Sequence, residues 1–70
     1  MWNYNLNVQS VFANSAGNAQ AALTGQGFRV IAAGAGLTNI VVILSDAATS
    51  GKQVHAFINA AGQITAAQLA

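Results

Sequence analysis

The run Ile40-Val41-Val42-Ile43-Leu44 does most to limit what this chain can fold into. Five consecutive large aliphatic side chains, all but the last β-branched, stand between the polar pairs Thr38-Asn39 and Ser45-Asp46. An unbroken run of this length and composition predicts a strand buried on both faces. The expected central strand covers Leu37 to Ser45, and every other segment has to pack around it. A single domain spanning 1-70 has little material for that task. Chains of this size bury only about 60% of their unfolded surface and are marginal without a staple.

Most staples are missing. There is no Cys, which removes disulfides and thiolate metal sites, and one His with one acidic residue is too small a set for a structural metal. Oligomerisation is the staple that remains. Charged residues make up 4% of the chain, against about 25% in an average soluble domain. Arg29, Lys52 and Asp46 are the whole inventory, with His55 as the near-neutral titratable group. A net charge of +1 gives little repulsion between copies and little steering toward nucleic acid or an anionic membrane. The polar surface has to be built from Asn, Gln, Ser and Thr, which suits packed contacts between subunits. Membrane insertion of 30–44 is the competing reading of the apolar run. Fifteen helical residues span roughly 22 Å, short of a hydrocarbon core of about 30 Å, and Arg29 and Asp46 close the two ends.

From the N-terminus, Trp2, Tyr4, Leu6 and Val8 alternate with Asn3, Asn5, Asn7 and Gln9. That period of two predicts a strand with one buried and one wet face, continuing toward Ala13 with Phe12 in phase and Val11 facing out. The amide row on the wet face could ladder with a neighbouring strand. Asn14-Ser15-Ala16-Gly17 predicts a type I turn closed by a left-handed Gly, and Asn59-Ala60-Ala61-Gly62 repeats it. Six identities fall in an eleven-residue window at an offset of 45, from Phe12 against Phe57 to Ala22 against Ala67. A shared hairpin form follows from that; a duplication does not.

Residues 18–24 suit either a short Ala-rich helix or a return strand. Thr24-Gly25-Gln26-Gly27 breaks any regular element. Further strands are expected over Phe28–Ala33, over Lys52–Ile58 with Val54, Ala56 and Ile58 on one face, and over the tail Gln63–Leu69. A helix in the tail, opened by a Thr65-x-x-Gln68 capping box, would have too few residues to stand alone. A loop with positive φ at Gly51 joins the central strand to the next one. Five to six short strands with tight turns predict an all-β fold, with room for one short helix: a small oligomeric meander barrel or sandwich.

Chemistry is nearly excluded by supply. Asp46 and His55 are the one conceivable acid/base pair, and no second acid completes a hydrolytic set. No Gly-x-Ser-x-Gly elbow is present. Ser50-Gly51-Lys52 fails as a phosphate loop, because Asp46 and Gln53 occupy the positions that need Gly and Ser or Thr. Gly25-Gln26-Gly27 and Gly34-Ala35-Gly36 lack the third Gly of a dinucleotide fingerprint and read as turns. The N-terminus carries no basic and apolar signal-peptide pattern, so cytoplasmic synthesis is expected, with the virion as the destination of a particle subunit.

The composition is similar to that of structural subunits of phage particles, although no defined motif carries the likeness. The expectation is a non-enzymatic, self-assembling viral or phage particle component, decorating a capsid or associated with a tail. It would need no cofactor, and its partners would be further copies and other particle proteins. The expected subunit interface uses Trp2, Tyr4, Leu6 and Val8, with Val41 and Ile43 of the central strand covered by a second copy. The alternative is a small oligomeric binding module holding an anionic small molecule through Arg29, Lys52 and His55.

Overall fold

The computed structural model describes residues 1–70 as five strands and one helix. The strands are β1 (Trp2–Ala13), β2 (Ala19–Leu23), β3 (Gly27–Val30), β4 (Gln53–Ile58) and β5 (Ile64–Leu69); the helix α1 (Leu37–Ser50) lies between β3 and β4. All five strands join one antiparallel sheet in the order β3-β2-β1-β4-β5. The fold is mostly β, as expected, but the sheet does not close into a barrel and no second sheet forms a sandwich. A single parallel bridge between Ile31 and Ile64 draws the two outer strands together at one point.

The expected central strand is a helix. Residues 37–50 form α1, and Ile40, Leu44 and Ala47 are its buried positions. Their spacing of four and three is one helical stripe. A strand through the same residues would have to bury Asn39, Val41 and Ile43 on one side and Ile40, Val42 and Leu44 on the other. One sheet can cover only one side, and the helix resolves this by turning Thr38, Asn39, Val42 and Asp46 to solvent. β-Branched residues weaken a helix by only a few tenths of a kcal/mol each, roughly, and packing outweighs that. Gly51 ends the helix at φ 72°, with the N–H groups of Gly51 and Lys52 both donating to the Ala47 carbonyl. The positive φ expected at Gly51 is therefore present, as a helix cap rather than in a strand-to-strand loop. The apolar stretch 30–44 is not one element, and no helix of the chain is long and apolar enough to cross a membrane.

Residues 18–24, open between helix and strand, contain β2. Ala19, Ala21 and Leu23 on it are fully buried. Alanine is a poor strand former in isolation, but pairing with β1 and β3 on either side and burial in the core outweigh that. α1 packs chiefly on β1 and β5, and the core joins Leu6, Leu23, Ile31, Leu44, Val54 and Ile64 beneath it. The expected common face of Val54, Ala56 and Ile58 is the core side of β4.

The two hairpin turns have the same form. Asn14 Oδ1 accepts from the N–H groups of Ala16 (3.0 Å) and Asn18 (3.1 Å), and Asn59 Oδ1 accepts from those of Ala61 (3.0 Å) and Gln63 (2.9 Å). Gly17 and Gly62 follow in the left-handed region at φ 84° and 80°. These bonds span at most four residues, which is why a four-letter pattern sufficed to predict them.

Candidate functional site: an uncovered aromatic face

α1 covers one face of the sheet and leaves the other open. What stands on the open face is decided by two irregularities in β1, which serves two ladders. Its first half pairs with β4 (Trp2 opposite Phe57, Asn3 opposite Ala56, Leu6 opposite Val54), and its second half pairs with β2. Between Asn3 and Leu6 the register slips, with Asn5 at φ 56°. This is a bulge in which Tyr4 and Asn5 share the single partner His55. Asn is among the few residues that tolerate the left-handed region. The displaced Asn5 N–H is taken up by His55, donating to its Nδ1 at 3.1 Å. A second slip lies between Val8 and Ser10.

Each slip exchanges the two faces for the residues beyond it. Trp2, Tyr4, Leu6 and Val8 therefore do not share a face, contrary to the even alternation of the sequence. Leu6 is buried in the core and Val8 packs against it, whereas Trp2 and Tyr4 stand on the open face. Past the second slip, Val11 packs against the core and Phe12 stands outside, which reverses the expected phase.

Two apolar patches result. In the first, Trp2 meets Phe57 edge to face, with ring centroids 5.7 Å apart and planes at 82°, and Tyr4 meets His55 at 5.0 Å and 71°. Tyr4 is 63% exposed. The second patch, at the other end of β1, consists of Phe12 on β1 and of Phe28 and Val30 on β3, with Gln20 and Ala22 of β2 between them and Phe28 71% exposed. All five aromatic residues of the chain thus lie on the face that α1 leaves open. Asn7 and Ser10 separate the patches along β1. Phe12, Phe28 and Phe57 were missed from sequence. For Phe57 the signal was present, because a core side made of Val54, Ala56 and Ile58 implies an open side made of His55 and Phe57.

The remaining expected site residues do not come together on this face. Val41 and Ile43 pack on the chain's own core from α1. Arg29 stands on the core side of β3, opposite Ala21. Its Nη2 donates to Gln26 Oε1 (3.4 Å), and Gln26 Nε2 donates in turn to Asn3 Oδ1 (3.3 Å). Its Nη1 lies over Gly62, 2.8 Å from where a Cβ would sit, so the guanidinium fills the gap between β3 and the β4–β5 turn. Lys52 is exposed between α1 and β4, and His55 belongs to the opposite face from Arg29. Asp46 is exposed on α1 and His55 is bonded to β1, so the conceivable acid/base pair lies on opposite sides of the sheet. No cluster of His, Cys, Asp or Glu of metal-binding size is present. In comparison with known proteins, the chain matches no family model, no curated protein and no solved structure.

Proposed function

We propose that the protein is a non-enzymatic, self-assembling structural subunit whose copies join through the open face of the sheet. One observation carries this reading: every aromatic side chain stands on the face that the chain's own helix does not cover. Exposed aromatic patches on a face that nothing in the chain covers mark contact sites. Three further properties favour a second copy as the partner. With 4% charged residues and a net charge of +1, like copies hardly repel each other. Arg29 is held on the opposite face, so the aromatics have no adjacent cation of the kind that single-stranded nucleic acid requires. The Asn, Gln and Ser residues between the aromatics can pair with their own kind across a symmetric contact.

A component of a viral or phage particle is the setting that best suits a small uncharged subunit of this type. Sedimentation tests the reading. At tens of micromolar the wild-type chain is expected as a species heavier than its 7.1 kDa. A folded monomer at that concentration would refute self-assembly.

A further inference from the structure

We infer that the subunit is bivalent: its two aromatic patches are separate contact faces, each taken by another copy, so assembly continues beyond a dimer. This rests on the self-assembly reading above and adds how many neighbours each copy engages. The two hairpins carry the argument. Their turns have the same hydrogen bonds at an offset of 45 residues, and the residue pairs that close them, Ala13–Ala19 and Ile58–Ile64, correspond at that offset. Phe12 and Phe57 hold equivalent positions just before the turns, and both stand on the open face. Each hairpin therefore presents an aromatic side chain at the same position: Phe57 beside Trp2 of β1, and Phe12 across β2 from Phe28 and Val30.

The patches are not continuous. They lie at opposite ends of a twelve-residue strand, with the polar residues Asn7 and Ser10 between them. β1 pairs with β4 at the first patch and with β2 at the second, and its register slips between Asn3 and Leu6 and again between Val8 and Ser10. The size of the molecule agrees, because its extents of 28 × 26 × 19 Å leave room for two small contacts. Each would belong to the low end of interface sizes, below about 1,200 Å² in total. A subunit with two such faces joins into a ring if the rotation between neighbours closes and into a filament if it does not.

Sedimentation of the whole chain and two variants, Tyr4→Glu and Phe28→Glu, tests this. Both sites are largely exposed, so far-UV circular dichroism is expected to match wild type, while loss of association lowers the apparent Tm; Tyr4→Ser and Phe28→Ser replace either variant that fails to fold. Wild type is expected to exceed twice 7.1 kDa and to grow with concentration. Each single variant is expected to reach a dimer at most, and the double variant to stay monomeric. A wild type that stops at a dimer, or a single variant that assembles as far as wild type, overturns bivalence and leaves self-assembly standing. A folded wild-type monomer that floats with neutral phosphatidylcholine vesicles assigns the face to lipid and overturns both. A folded monomer without lipid affinity also overturns both.

Discussion

Val42→Ala and Leu44→Ala, two residues apart in the same apolar run, are expected to differ by several kcal/mol. On α1, Leu44 is fully buried against the sheet while Val42 is 60% exposed. Truncating a buried Leu costs about 2–5 kcal/mol in lost transfer energy and residual cavity. A chain of 70 residues has a total stability of roughly 4–10 kcal/mol at typical values per residue. Leu44→Ala is therefore expected to remove about a fifth of the stability or more, and to lower Tm by at least about 8 °C in a domain this small. Val42→Ala loses little burial and gains helix propensity of up to about 0.7 kcal/mol, so the net change is expected within about 0.5 kcal/mol of zero. Urea unfolding followed at 222 nm measures both, at one fixed protein concentration because association raises apparent stability. In a buried strand Ile40, Val42 and Leu44 would share a face. A Val42→Ala variant that loses about 2 kcal/mol or more would therefore refute the helical placement on which the covered and open faces depend.

The bulge in β1 makes its own prediction. Asn5→Gly is expected to be tolerated and Asn5→Val to cost about 1–2 kcal/mol, because a β-branched residue resists the left-handed φ of 56°; thermal unfolding distinguishes the two. Gly62→Ala is expected to destabilise more than Gly17→Ala in the same assay. Both positions have positive φ, but only at Gly62 must the Arg29 guanidinium also move, weakening its bond to Gln26. Ala21→Leu is expected to cost about 1–3 kcal/mol by overpacking, since Ala21 is fully buried on the core face of β2. A Leu variant as stable as wild type would show that the contact between helix and sheet has unfilled room.

Several parts of the fold were legible in the sequence. The start of β1, the core side of β4, the tail strand and both Asn-x-x-Gly turns correspond to patterns within a few residues of one another. For α1, the signal lay in a longer window. Leu37, Ile40, Val41, Leu44, Ala47 and Ala48 follow a helical spacing that the five-residue run Ile40–Leu44 obscures. The open face was half legible: Trp2 and Tyr4 are on it, while Leu6 and Val8 are not. Their even spacing contains no sign of a bulge, apart from an Asn at the one position that enters the left-handed region.

What the sequence determined by itself is local. Asn14 and Asn59 form their turns with N–H groups two and four residues ahead, and no distant residue is needed. Whether Ile40–Leu44 became strand or helix, and which way Trp2 and Tyr4 faced, were decided only by tertiary structure. The run became a helix because a single sheet can bury one side of an element, and a helix is the form that gathers Ile40, Leu44 and Ala47 on one side. Trp2 and Tyr4 face outward because the bulge at Asn5 changes the face of β1, and the group that receives its displaced N–H is His55, fifty residues further along the chain.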